Sequence, residues 1–195
     1  MQAHRDPMGW DASHAHALDD PRREREVPAA AVIDLLELGG GETVVDFGAG
    51  TGRLTVAVDG ALDQGTVIAL ENDREMCSVL EPRLADRHSA TTLYVESGVV
   101  PLPDGSVDRI LCVDVLHHIA QADLNEMRRL VRAAGHVVMI DWERGASREH
   151  GPPDDVCLSS TAAAEELATA GFSADEVLSP FAHRYALLAR PLKGD

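Results

Sequence analysis

From residue 43 onward, short runs rich in β-branched residues alternate with longer amphipathic stretches, and this alternation narrows the fold more than any other feature. The runs at 43–47 (TVVDF), 66–70 (TVIAL), 91–95 (TTLYV), 108–113 (DRILCV) and 136–141 (HVVMID) are apolar almost throughout. Strands with that character are covered on both faces. Stretches 52–60, 73–87 and 120–133 lie between them and are predicted helices; in the last, Leu124, Met127, Leu130 and Val131 form one apolar stripe. Strands alternating with helices predict a parallel sheet joined by right-handed crossovers. Near the end, Gly151-Pro152-Pro153 breaks the pattern, and Ser160-Thr161 offers an N-cap for a helix over 162–170 that Gly171 ends. Runs 174–178 and 185–189 then predict an antiparallel hairpin at one edge of the sheet. Before residue 43 stands one predicted helix, 28–38, after a polar, His-rich stretch. The expected organisation is an arm over 1–27 that closes as a lid on a single α/β domain over 28–195.

The turn after the first strand carries the chemistry. In Val44-Val45-Asp46-Phe47-Gly48-Ala49-Gly50-Thr51-Gly52-Arg53-Leu54 a strand gives way to a helix through a glycine-rich bend. Glycine permits positive φ and close approach of a ligand to the backbone. Ligands of open α/β sheets sit at the carboxyl ends of strands, where this bend falls. A dinucleotide fingerprint would read G-x-G-x-x-G, but Arg53 occupies the place of its last glycine. Asp46 adds a carboxylate beside the bend, a poor neighbour for a diphosphate and a good one for an ammonium or sulfonium. Glu71 ends the second strand, where a carboxylate can accept both hydroxyls of a ribose.

These residues resemble the class I S-adenosylmethionine-dependent methyltransferases. VVDFGAGTGRLT is similar to their first motif, VIALENDREM to their acidic-ended second strand, and the PLPDGSVD within SGVVPLPDGSVDRILCVDVLHHI to their small-molecule branch. The resemblance implies a three-layer Rossmann-like sandwich around a seven-stranded, mostly parallel sheet with an antiparallel last strand. It implies that the backbone of Gly48, Ala49, Gly50 and Gly52 surrounds the methionine part of the cofactor, that Asp46 serves its amino group and that Glu71 holds its ribose. Asn72 lines the adenine side, and Glu96 or Ser97 stands where the family contacts the adenine amino group, although Glu96-Ser97-Gly98 departs from the usual triplet. Cys112, through its backbone, and Asp114, through its side chain, face the methionine end.

The implied function is methyl transfer from S-adenosylmethionine to a small-molecule acceptor. Two alternatives stay open: non-methylating sulfonium chemistry such as cyclisation, and a cofactor-binding accessory subunit. His117 and His118 follow the fourth strand, and either could face the acceptor as a base or simply face water. No metal is expected, because no H-E-x-x-H spacing is present; the alternative is convergence of His4, His16, His150 and His183, with Asp141 adding a carboxylate. Trp10 and Trp142 suit an apolar lid. Arg22 or Arg23 could meet an anionic substrate, while Arg128 and Arg129 are expected on a solvated helix face.

Composition excludes several other classes. Lys+Arg total 17 against Asp+Glu 33, and the net charge of -16 repels polyanions such as nucleic acid. Aromatic residues make up only 4%, too few for a platform that stacks bases. No apolar run is long enough to span a membrane, and the N-terminus lacks a signal core, so a cytoplasmic protein is expected. Cys77, Cys112 and Cys157 are too few and scattered for a disulfide framework, which predicts reduced thiols. An exposed sheet edge leaves a homodimer open.

Overall fold

A computed structural model describes residues 15–96, 98–177 and 180–193. Its strands are β1 (Thr43–Phe47), β2 (Thr66–Glu71), β3 (Ala90–Tyr94), β4 (Val107–Val113), β5 (Val131–Trp142), β6 (Phe172–Glu176) and β7 (Arg184–Pro191). They form one seven-stranded sheet in the order β3-β2-β1-β4-β5-β7-β6. All neighbouring pairs are parallel except those made by β7, which slots between β5 and β6 and runs against both. The expected fold is therefore the observed one, with the antiparallel last strand inside the sheet and β6 at its edge.

Side-chain alternation along each strand sorts the core into two layers. Val45 and Phe47 of β1 point to the face covered by α6 (Gln121–Leu130) and α7 (Ser160–Thr169), together with Cys112, Met139 and Tyr185. Val44 points to the opposite face, against α3 (Ala29–Leu36) and α4 (Arg53–Ala61), and Leu80 and Leu84 of α5 (Arg74–Leu84) cover Ala69 on that side. Asp46 shares the parity of Val44, so it emerges beside α4.

Several boundaries differ from expectation, and three of these differences have identifiable reasons. The helix expected over 120–133 ends at Leu130, because Val131 turns extended and opens β5 opposite Val107. Leu124, Met127 and Leu130 keep the buried stripe. Helix α7 starts earlier than expected: Ser159 is its N-cap and accepts from the Ala162 amide at 3.2 Å, so Ser160 and Thr161 lie inside it. β6 also starts earlier, at a buried Phe172, while its polar Ser173, Asp175 and Glu176 belong to an edge strand. The arm contains α1 (Ala15–Leu18) and α2 (Pro21–Glu26), short helices that no apolar periodicity announces.

The junction into β2 is packed backbone against backbone. The amides of Asp63, Gln64 and Gly65 all donate to the Gly40 carbonyl, and Thr66 N donates to Glu42 O. A Cβ on Gly65 would lie 2.3 Å from the Glu42 oxygen and 2.8 Å from its nitrogen. Overpacking of this kind costs roughly 1–3 kcal/mol. Gly65→Ala is expected to melt several degrees below wild type, whereas Gly60→Ala, with open space around it, is expected to melt no lower.

Candidate active site

β1 delivers the chain into its glycine bend with the next strand as a template. The amides of Gly48 and Ala49 both donate to the Leu70 carbonyl, at 2.9 and 3.0 Å. Gly48 has φ +75°, and a Cβ there would stand 2.6 Å from a Val115 methyl. Gly52 has φ +81° and caps α4; a Cβ there would stand 2.5 Å from a Leu80 methyl. Side chains at either position would both strain the turn and push neighbouring elements apart.

Two carboxylates flank the bend. Glu71 is nearly buried and holds the loop directly: Oε2 accepts from the Gly50 amide at 2.9 Å, and Oε1 accepts from the amides of Asn72 and Asp73 at 2.8 and 3.0 Å. Asp46 is buried at 3% exposure, and its Oδ2 accepts from the Thr55 hydroxyl at 2.6 Å. Burial pushes its carboxyl up to about 6, the negative Glu71 adds to that rise, and the Thr55 hydrogen bond opposes it. The acids expected from sequence to share the bend are thus close enough to feel one another's charge. Asn72 is exposed just beyond Glu71, Glu96 is exposed past the end of β3, and Ser97 lies outside the described residues. The Cys112 thiol points into the α6–α7 layer, where burial raises it well above the ordinary thiol range, so only the backbone of Cys112 could contribute to the cleft.

At the end of β4, Asp114 has φ +57°, an uncommon conformation outside glycine. Its carboxylate accepts from Arg184 Nε at 2.7 Å and from Arg23 Nη2 at 2.8 Å. Burial disfavours the charged carboxylate, but the two guanidinium groups outweigh it and hold Asp114 below the usual range. Arg184 in turn lies 3.5 Å over the Trp142 ring. His117 and His118 follow in a turn rather than a helix, with His118 N donating to Val115 O at 2.8 Å. His117 is buried, with Nδ1 2.8 Å from Asp141 Oδ1. His118 is half-buried, its ring centroid 4.0 Å from that of His117.

Two carboxylates around a bend of backbone amides suit a nucleoside carrying positive charge, and known proteins agree with that chemistry. A family model described as a methyltransferase domain matches residues 45–139, from within β1 to within β5. The crystal structure of an S-adenosylmethionine-dependent methyltransferase from Aquifex aeolicus matches with a TM-score of 0.87 at 25% identity, over 94% of this chain and 100% of that one. The chain is similar to S-adenosylmethionine-dependent methyltransferases in this domain and in its whole fold. Curated relatives include ribosomal RNA small subunit methyltransferase A of a Synechococcus strain, 32% identical over 144 residues, and an uncharacterized methyltransferase of Mycobacterium tuberculosis, 33% identical over 125 residues. These alignments cover 71% and 61% of this chain and 49% of each relative, so the chain spans about half the length of these curated relatives.

The arm lies across the glycine bend. A Leu18 methyl stands 3.1 Å from where a Cβ on Gly50 would be. Asp19 accepts from the Thr51 hydroxyl at 2.8 Å and from Arg83 at 2.6 and 2.9 Å. Glu24 pairs with Arg53, and Glu26 pairs with Arg184 and His150. The anion-binding role expected of Arg22 or Arg23 meets a different geometry: Arg22 pairs with Asp20 and Arg23 with Asp114. Arg128 and Arg129 also depart from expectation. Arg128 donates to the Gly171 carbonyl, and Arg129 ties Glu126 and Asp104 to the carbonyls of Val100 and Leu102.

Arg184 was not singled out by sequence reasoning, and Arg53 only as a break in the dinucleotide fingerprint, because their partners Glu26 and Glu24 lie 158 and 29 residues away and leave no local pattern. No group of His, Cys, Asp and Glu that could hold a metal ion occurs among the described residues. The described members of the alternative metal set, His16, His150, His183 and Asp141, form no such cluster. His16 and His183 are exposed, His150 pairs with Glu26, and His4 lies outside the described residues. Among the described residues no helix is long and apolar enough to cross a membrane, and Cys77, Cys112 and Cys157 are free and buried.

Proposed function

We propose that this protein transfers the methyl group of S-adenosylmethionine to a small-molecule acceptor. The observation that carries this reading is the meeting of Asp46 and Glu71 at one glycine bend under the arm. Bound S-adenosylmethionine would supply a methyl activated by its sulfonium. Glu71 accepts the ribose hydroxyls, and Asp46 faces the methionine ammonium directly or through water. The backbone of Gly48, Ala49, Gly50 and Gly52 gives close approach without side-chain obstruction. The backbone of Cys112 and the Asp114 carboxylate bound the methionine end, with Asn72 and Glu96 or Ser97 on the adenine side. The arm acts as the lid: its contacts at Asp19, Arg23, Glu24 and Glu26 are ion pairs and hydrogen bonds at the rim, which can part and re-form as ligands exchange.

A small acceptor is favoured over a polymer on two grounds. Arg23, Arg53, Arg83 and Arg184, cations around the bend and the arm, are each paired with a carboxylate of this chain and offer no basic track to a phosphate backbone. The net charge of -16 adds long-range repulsion. The Synechococcus relative acts on ribosomal RNA by its name, and this chain's charge sets it apart from that acceptor.

Calorimetry with S-adenosylmethionine, followed by mass spectrometry of reactions with cell-extract metabolites, tests the reading. Stoichiometric binding and formation of S-adenosylhomocysteine with a methylated small molecule is the expected result. Lack of binding overturns it, as does methylthioadenosine as the nucleoside product. Binding without turnover would indicate an accessory subunit, and labelled methyl recovered in RNA would replace the acceptor class.

A further inference from the structure

We infer that the open edge of β3 is a dimer seam, on which β3 of a second copy of this chain pairs antiparallel about a two-fold axis through Thr92.

The two ends of the sheet are β3 and β6. An unpaired edge is a template for another strand, and proteins guard such edges with charged residues. β6 is guarded in this way: Asp175 and Glu176 are exposed along it, and self-pairing would bring the carboxylates of two copies to one seam. β3 reads Ala90-Thr91-Thr92-Leu93-Tyr94, with neither a charge nor a proline. With a net charge of -16 on each copy, association is least opposed along a line free of carboxylates. β3 offers that line and β6 does not.

The ladder fixes which groups of β3 are open. Val67 N donates to Ser89 O, and Val95 N donates to Glu71 O. The β2–β3 register sets Val67 beside Ala90 and Glu71 beside Tyr94, so residues 89, 91, 93 and 95 turn their backbone groups towards β2. Those of Ala90, Thr92 and Tyr94 point outward, and no described strand pairs with them. Two such edges set antiparallel about Thr92 match without a slip. Thr92 faces the partner's Thr92, Ala90 faces the partner's Tyr94, and each facing pair exchanges both of its hydrogen bonds.

Side chains make the same register self-complementary. Ala90 packs against the Leu80 and Leu84 cluster of α5, so the even-numbered residues of β3 face that helix. A depression at this place is lined by Glu81, Leu84, Ala85, Arg87 and Ala90. In the pairing, the partner's Tyr94 stands directly across from the small Ala90, and its ring enters the depression. Arg74 lies over the Tyr94 ring at 4.1 Å and is carried with it, so its guanidinium arrives at the partner's Glu81. Arg74 and Glu81 are both exposed, and neither makes an ion pair with a described residue. The two-fold axis repeats this contact at the other end of the seam. An unrelated strand would satisfy the backbone alone; a second copy also supplies the ring and the opposite charge at both ends.

Sedimentation of the full chain at about 50 µM is expected to give twice the chain mass, with a dissociation constant below about 10 µM. Thr92→Lys sets two like charges face to face on the axis and is expected to raise that constant at least about tenfold. Asp175→Lys, on the guarded edge, is expected to leave it within about threefold of wild type. Arg74→Glu and Glu81→Arg are each expected to weaken the dimer about tenfold. The double variant restores the pair with its signs exchanged and is expected to recover most of the lost affinity. Both side chains are exposed in one copy, so this rescue reads the seam and not the fold. Wild type supplies a readout free of substitution: the amides of Ala90, Thr92 and Tyr94 are expected to exchange more slowly in the dimer than in the monomer. A monomer at about 50 µM overturns the inference, as does a dimer indifferent to Thr92→Lys. Equal exchange of these amides in both states also overturns it, whether they are open in both or covered in both by another segment of this chain. A double variant no tighter than its parents overturns the register.

Discussion

Glu71→Ala is expected to bind S-adenosylmethionine at least about 100-fold more weakly than wild type while keeping a native circular dichroism spectrum. Hydrogen bonds to a charged group contribute about 1.5–3 kcal/mol each, and two bonds to the ribose hydroxyls together correspond to about two to four powers of ten in affinity. The same carboxylate also receives the amides of Gly50, Asn72 and Asp73, so its loss loosens the bend that carries the ligand. S-adenosylhomocysteine has the same ribose and is expected to weaken in parallel. Glu71→Gln keeps the shape and one acceptor oxygen and is expected to fall between the two, about tenfold below wild type. Retention of affinity within threefold in a folded Glu71→Ala protein would remove Glu71 from the cofactor site.

The parts of the fold legible in sequence are those whose signals are local and reinforced by neighbours. β1 is found at its expected limits because its apolar run ends at Phe47 and is bracketed by glycines. α6 was overextended because Val131 continues the apolar stripe, and only its pairing with Val107 on another strand shows that it has become extended. Helix α2 carries a proper start, with the Asp20 side chain accepting from the Arg22 amide ahead of Pro21, but six residues are too few to display periodicity.

The site divides in the same way. Asp46 and Glu71 could be found because each ends a strand beside a bend whose glycines are visible in the sequence. Asp141 was visible only as a carboxylate at a strand end, since its engagement with His117 spans 24 residues and depends on the parallel pairing of β4 with β5. The Arg23–Asp114–Arg184 group is assembled from the arm, the end of β4 and the start of β7, and no two of its members are neighbours in the chain. Charge balance over such distances is settled by topology rather than by any motif, which is why arginines that looked available for substrate are committed to carboxylates.

Asp46 is expected to make both stability and cofactor affinity depend on pH, in opposite directions. Its carboxyl is raised from 3.8 to about 6, chiefly by burial. Between about pH 4 and pH 6 the native state holds a proton that the unfolded chain has released, so the contribution of Asp46 to stability declines as pH rises through this window. A displacement of about 2 pH units corresponds to about 3 kcal/mol, present in full on the acid side and lost above pH 6. Denaturant unfolding of wild type against Asp46→Asn isolates this contribution: the difference between them is expected to shrink or reverse as pH falls from 7 to 4.5. Cofactor binding has the reverse requirement, because an ammonium beside Asp46 favours the ionised carboxylate. At pH 5 only about one molecule in eleven would carry that charge before binding, so affinity is expected to be about tenfold lower than at pH 7. Calorimetry in buffers of different ionisation enthalpy should register release of close to one proton at pH 5, and Asp46→Asn should show neither the release nor the slope. If wild-type affinity is flat between pH 5 and pH 7, the Asp46 carboxylate does not meet the cation, and its buried charge serves only the turn into α4.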